Sequence, residues 1–150
     1  MGTLGNIRVK VAHGASSPDS LQRVLAVAHQ LQAMLETLVE TGQSDCVDLR
    51  RLPLTPTDCA SLRMLLGRGE VRAEMDCLGP TRIQETAVPG LWWVSHCNQD
   101  GQVLAELIEV TALPELLQPH PDELRAGPQR LRARMMRPGP AAAAPKSSLV

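Results

Sequence analysis

Apolar residues recur at helical spacing from Leu21 onward, at 21, 24, 25, 28, 31, 35, 38 and 39, and Val27 and Met34 widen the stripe. This period predicts an amphipathic helix over 18–41. Its ends are marked as well. Ser17 is placed to cap it, Pro18 fits the first turn, Asp19 suits the positive end of the helix dipole, and Gly42 supplies a stop. A shorter helix is predicted over 56–66, capped by Thr55, with Pro56 at its first position and Gly67 at its end. Its expected apolar face is Cys59, Leu62, Leu65 and Leu66.

After Gly69 the period changes to two. In EVRAEMDC, Val71, Ala73, Met75 and Cys77 point one way, and Glu70, Arg72, Glu74 and Asp76 the other, as in a strand with one solvated face. TRIQETAV, LWWVSHC and QVLAELIEV read as three further strands. They are separated by Leu78-Gly79-Pro80, Pro89-Gly90 and Asn98-Gln99-Asp100-Gly101. Short turns between consecutive strands favour an antiparallel meander. Residues 7–11, IRVKV, could add a short strand, 46–52 is a strand or an extended link, and 113–117 starts a helical turn. The expected fold is α+β: N-terminal helices packed on an antiparallel β-meander of about four strands, with a disordered C-terminal tail.

Composition sets the domain organisation. One domain over 1–125 fits the 150 residues, and the Pro/Ala-rich stretch 126–150 lacks the apolar content to fold. The net charge of −1 is unevenly split. Six basic and no acidic residues over 124–150 leave −7 for 1–123, so an acidic domain bears a basic tail. This balance excludes a uniformly basic nucleic-acid binder. Two tryptophans, with no Phe or Tyr, make no base-stacking platform.

No apolar run approaches the roughly 18–20 residues that span a bilayer. The N-terminal residues lack the apolar core of a secretory signal, and Asn6 stands where a myristoylation signal wants Ser or Thr. A cytoplasmic protein without membrane insertion is expected. Its four cysteines, Cys46, Cys59, Cys77 and Cys97, form no C-x-x-C pair and are expected as reduced thiols.

Candidate chemistry is sparse. His96 and Cys97 are adjacent and fall on opposite faces of a strand, which disfavours a shared metal. Cys59 and Cys77 read as small buried hydrophobes. His29 sits beside the helical stripe as a packing or boundary residue, and His13 and His120 lie in loops. Cys97 with His96 or His13 lacks an orienting acid, and Ser95 lacks a G-x-S-x-G context, so a hydrolase reading carries little weight. Glu70, Glu74, Asp76, Glu106 and Glu109 read as a solvated sheet face, and Gly67-Arg68-Gly69 as a turn. No catalytic residue, metal ligand or cofactor is expected. Trp92 and Trp93 must face opposite sides of their strand. One anchors the core. The other is either an exposed contact site, with Val94 and His96 beside Trp92, or is covered by a helix.

Residues 65–111 carry a specific run. It begins with Leu66, Gly67, Gly69, Glu70 and Val71 (LG-x-GEV), followed by Gly79, Pro80, Thr81, Ile83, Glu85 and Thr86 (GPT-x-I-x-ET). Ala87, Pro89, Gly90 and Trp92 (A-x-PG-x-W) come next, then Ile108, Glu109 and Val110, and finally Pro114 and Glu115. This run resembles the C-terminal domain of the HyaF/HupH family, accessory proteins of [NiFe]-hydrogenase expression and formation. Members of that type are about twice this length, so the chain looks like a short single-domain relative of the HupJ/HoxT kind. The resemblance implies a non-enzymatic, chaperone-like role in maturation of an uptake [NiFe]-hydrogenase. The implied partner is the iron–sulfur small-subunit precursor or a sister accessory protein. The family supplies no catalytic residue and assigns no ligand role to His96, Cys77 or Cys97. The implied contact residues are Gly79, Pro80, Thr81, Ile83, Glu85, Thr86, Pro89, Gly90, Trp92 and Trp93, although Gly79-Pro80 and Pro89-Gly90 also serve simply as turns. The alternative, prompted by four Cys and four His, is a thiol- or metal-handling protein that carries iron or a cluster transiently during assembly.

Overall fold

The computed structural model describes residues 17–137 and 139. Helix α1 is Pro18–Thr41 and helix α2 is Pro56–Leu66. Five strands follow the order β1 (Asp45–Asp48), β2 (Arg72–Asp76), β3 (Pro80–Glu85), β4 (Leu91–Cys97) and β5 (Val103–Val110). The expected caps are present. The Ser17 hydroxyl accepts from the Ser20 N–H, and Gly42 closes α1 with φ of 73°. Thr55 and Asp58 cap α2 reciprocally, each side chain taking the other's backbone N–H.

The sheet order is β1-β5-β4-β3-β2, every pair antiparallel. The expected meander is β2 to β5. The fifth strand, β1, comes from the segment that read as strand or link. It crosses to the far edge and pairs Asp45 with Val110 and Asp48 with Leu107. Four residues are too few for an alternation to declare itself.

The main core lies between the two helices and one face of the sheet. Val24, Val27 and Leu31 of α1 and Leu62 and Leu66 of α2 meet Val47, Leu49, Leu91, Trp93, Ile108 and Val110. Burying each such leucine or isoleucine side chain contributes about 1.5–3 kcal/mol. No residue of β2 or β3 belongs to this cluster. On the opposite face Ile83, Trp92 and Val94 form a second buried set.

Several expected core positions differ. Leu65 is exposed, and Asp58 is fully buried in its place. The inward stripe of α2 runs 58, 62, 66, at i, i+4 and i+8, and Leu65 falls off it. Leu21, Leu25 and Val39 of α1 are exposed, as are His29 of α1, Val71 at the start of the second expected period and Cys77 at its end. The sheet narrows at these last two positions, which lie just outside β2.

The chain divides into two compact units between Ala112 and Leu113. The second unit contains a 3-10 turn, Glu115–Leu117, and helix α3, Pro121–Met136. Helix therefore runs through 126–136, where composition suggested a disordered tail. The physical reason is local. Pro121 occupies the first turn, the His120 ring accepts from the Asp122 N–H, and the segment is rich in Arg, Leu, Ala and Met, so the helix continues with Pro128 inside it. The possible strand at 7–11, His13, and residues 138 and 140–150 lie outside the described residues.

Candidate functional site

The motif run of residues 66–92 is a set of mutual locks between β2, β3 and β4. Its first part is pinned to its second at Glu85. The Glu85 carboxylate accepts the N–H groups of Glu70 and Val71, each at 3.2 Å, and its carbonyl accepts the Gly69 N–H at 2.8 Å. Gly67 has φ of 66°, and a Cβ there would sit 2.8 Å from the Ala87 Cβ. The Ala87 N–H donates to the Leu66 carbonyl at 2.9 Å. A side chain at 67 would therefore push the end of α2 away from the β3–β4 turn.

The next pieces fix the turns. Gly79 is buried, with φ of 140°, and a Cβ on it would lie 2.3 Å from the Cys97 carbonyl oxygen. Pro80 pairs with Asp76 and closes the β2–β3 hairpin. The Thr81 hydroxyl hydrogen-bonds His96 Nδ1 at 3.0 Å, and Ile83 is fully buried. The Thr86 hydroxyl donates to the Val88 carbonyl and accepts its N–H, at 3.0 and 3.1 Å, which shapes the turn through Pro89 and Gly90. The Gly90 carbonyl then accepts the Thr111 N–H at 2.9 Å. Of the motif residues in this run, Glu70, Val71, Ala87 and Pro89 are exposed.

The tryptophans face opposite sides of β4, as adjacent strand residues must, and both are buried, at 5% and 3% exposure. The exposed-tryptophan alternative is thus overturned. Trp92 aims its indole N–H at the Thr111 carbonyl, 3.1 Å away. Trp93 packs in the main core and donates to Glu106 Oε1 at 2.8 Å. The Arg63 guanidinium lies 4.1 Å from the Trp93 ring centroid and also pairs with Glu106. Arg63 went unread in the sequence and Glu106 read as part of a solvated face, because a strand carboxylate two positions from the core Ile108 gives no local signal of this contact.

Asp58 also escaped the sequence reading, although T-x-x-D at 55–58 is a capping pattern. Its carboxylate takes hydrogen bonds from Arg23 Nε at 2.8 Å, from the Ser20 hydroxyl, and from the Thr55 N–H at 2.9 Å. These donors, Arg23 first, hold the carboxyl well below the usual carboxylate range.

The cysteines are dispersed. Cys46 and Cys77 are exposed, Cys97 is buried, and Cys59 is half-buried. Burial pushes the Cys59 thiol up, with the Glu106 and Asp58 charges adding to the effect. Cys59 borders a cleft of about 550 Å³ with Leu49, Leu52, Leu54, Arg63 and Glu106. Among the described residues no three His, Cys, Asp or Glu side chains gather as a metal site would require. No helix among them is long and apolar enough to cross a membrane.

Comparison with known proteins places this architecture. The solved structure titled hydrogenase expression protein HupH, from Thiobacillus denitrificans, superposes with a TM-score of 0.71 at 38% identity, covering 75% of this chain and 93% of that one. The hydrogenase expression/formation protein HupQ of Azotobacter chroococcum is 35% identical over 99 residues, 66% of this chain and 34% of that protein. The hydrogenase-1 operon protein HyaF of Escherichia coli is 26% identical over 113 residues, 75% of this chain and 39% of that protein. The chain thus spans about a third of the length of the curated relatives it matches. Residues 21–137, which include α1 from Leu21 onward, α2, α3 and the whole sheet, match the family model described as HupH hydrogenase expression protein, C-terminal conserved region. This chain belongs to that family.

Proposed function

We propose that this chain is a non-enzymatic accessory protein in [NiFe]-hydrogenase maturation, which binds the iron–sulfur small-subunit precursor or a sister accessory protein in the cytoplasm. The observation that carries this reading is the family match over 21–137, on a chain whose motif residues form a hydrogen-bonded three-strand platform. The motif residues are spent on holding that platform in shape. A binding protein needs a fixed surface of this kind, whereas an enzyme needs converging reactive groups.

Within the motif, Gly79, Thr81, Ile83, Glu85, Thr86, Gly90, Trp92 and Trp93 set the shape. Pro80 and Pro89, at the two hairpin ends, present surface beside it. The carrier reading, based on the cysteines, has no cluster to draw on among the described residues.

The test is affinity capture of the tagged protein, in air and without oxygen, from cells that make the hydrogenase. Enrichment of the small-subunit precursor or of an accessory protein is expected. Capture of no hydrogenase subunit or accessory protein in either atmosphere, across growth phases, overturns the reading.

A further inference from the structure

The arginines of the first unit are not spread evenly. Residues 17–112 hold seven arginines against thirteen acidic residues, a net of −6. Four of the seven, Arg63, Arg68, Arg72 and Arg82, line one cleft of about 260 Å³ on the sheet. The other three are engaged elsewhere: Arg23 with Asp58, Arg51 with Asp48, and Arg50 with the carbonyls of Val103 and Leu104.

Strand register explains how the cleft forms. Arg72 pairs with Gln84 and Gln84 with Trp93, while Glu74 pairs with Arg82, Arg82 with Ser95 and Ser95 with Glu106. Residues directly opposite share a face. The polar side of β2 and β3 is therefore the same sheet face that carries Trp93 and Ile108 into the main core. The helices complete that core over β1, β5 and β4 only. Beyond Trp93 this face opens into a polar floor, with arginines arriving from α2, from the α2–β2 turn and from β2 and β3.

The cleft is positive after internal pairing. Arg63 pairs with Glu106, and Glu74 lies between Arg72 and Arg82, at 3.9 and 3.6 Å. Glu106 thus lines the cleft, and Glu74 pairs with two of its four arginines. Arg68 is exposed and makes no hydrogen bond or ion pair with the described residues. The side chains of Arg63, Arg72 and Arg82 are each at least half exposed. β2 is an edge strand with no further strand partner among the described residues, and it brings Arg72 to the cleft. Guanidinium forks match carboxylates in shape as well as charge. An extended chain can also lie along a free strand edge.

We propose that this arginine cleft is the docking site for an acidic, extended peptide segment of a partner protein, with its carboxylates on Arg68, Arg72 and Arg82. The proposal deepens the maturation reading above by naming the surface and the chemistry of the segment it takes.

The test uses the full chain and a fluorescein-labelled peptide with glutamates at alternate positions, followed by anisotropy. The matched glutamine peptide, inorganic phosphate and a single-stranded oligonucleotide serve as comparisons. The glutamate peptide is expected to bind, and the glutamine peptide to bind about tenfold more weakly or not at all. The triple variant R68Q/R72Q/R82Q should lose about tenfold or more in affinity for the glutamate peptide, while R50Q/R51Q should stay within about twofold. Should the triple variant fail to fold by circular dichroism, Arg68→Gln alone decides. Its side chain supports no contact, and about a threefold loss is expected. Equal binding of the two peptides, equal loss in both sets of variants, or preference for phosphate or the oligonucleotide overturns the proposal.

Affinity capture with wild type and the triple variant separates the two readings. If both capture the hydrogenase subunit equally, the cleft proposal falls and the maturation reading stands. If neither does, while the glutamate peptide still needs the arginines, the maturation reading falls and the cleft proposal stands.

Discussion

Arg23 and Asp58, thirty-five positions apart, meet with Nε 2.8 Å from a carboxylate that is wholly excluded from solvent. Asp58 caps α2 with Thr55 and, through Arg23 and Ser20, ties the first turn of α2 to the first turn of α1. The contact fixes how the two helices sit over the sheet. Removing the carboxylate strands Arg23, frees the Ser20 hydroxyl and opens half of the α2 capping box at once. Asp58→Ala is expected to lower the Tm by on the order of 10 °C, and by more than Arg23→Met, because Arg23 is partly solvated and its loss leaves Asp58 two other donors. Thermal denaturation of both variants checks the order.

The same carboxylate sets a pH dependence. Its folded-state pKa lies below its ordinary value of 3.8. The unfolded chain therefore takes up a proton first, and the stabilisation, complete above about pH 5, is lost as pH falls through and below 3.8. The wild-type Tm should drop steeply across this acid range. Asp58→Asn should start lower at neutral pH and fall less steeply. Parallel curves for the two proteins would remove Asp58 as the source.

Two glycines with positive φ separate conformation from space. At Gly101, φ is 79° and a Cβ would meet nothing within 4 Å. Gly101→Ala should cost about 1–2 kcal/mol, from backbone conformation alone. At Gly79 a Cβ would strike the Cys97 and Asn98 backbone, at 2.3 and 2.7 Å. Gly79→Ala should cost more, about 3 kcal/mol or above, since β4 must shift. Urea unfolding of the pair measures the difference.

Arg63 over Trp93 supplies a third measure of the platform. Arg63→Ala removes a cation from the ring face and an ion partner from Glu106, and should cost about 0.5–2 kcal/mol. Glu106→Gln keeps an acceptor for the Trp93 N–H and should cost less. Chemical denaturation of both variants ranks them.

Thiol labelling reports the cysteine environments. In the native protein Cys46 and Cys77 should react with a disulfide reagent at the rate of free thiols. Cys59 should be slower, because burial raises its pKa and thins its thiolate, and Cys97 should react only on unfolding. Mass mapping of labelled peptides over time assigns each rate.

Much of the fold was legible because its signals are local. Ser17-Pro18 and Thr55-Pro56 mark helix starts by backbone chemistry alone, and the turns at Gly79, Gly90 and Gly101 mark where strands reverse. What stayed hidden depends on residues far apart in the chain. Asp58 is buried because α1 delivers Arg23 to it. The four residues of β1 are a strand because β5 accepts them. Trp92 is buried although its strand pattern allowed an exposed ring. In α3 no residue is buried, so no apolar face announced it, and Gly127-Pro128 read as a break inside what is a helix. The site was legible as a motif and illegible as a surface. The shared run identifies residues that hold the platform, whereas the arginine cleft takes its members from α2, a turn and two strands.

The position of β1 at the far edge of the sheet bears on how the chain is made. Asp45 pairs with Val110, so the strand between the two helices waits for a partner synthesised sixty-five residues later. On the ribosome, α1 and α2 emerge with their apolar faces uncovered, and the hairpins β2–β3 and β3–β4 can form before the helices have a floor. Closure is a single late event with a long loop to draw in. A nascent chain halted before Ile108 would expose Leu31, Leu62 and Trp93 together, because the strand that completes their floor is still missing.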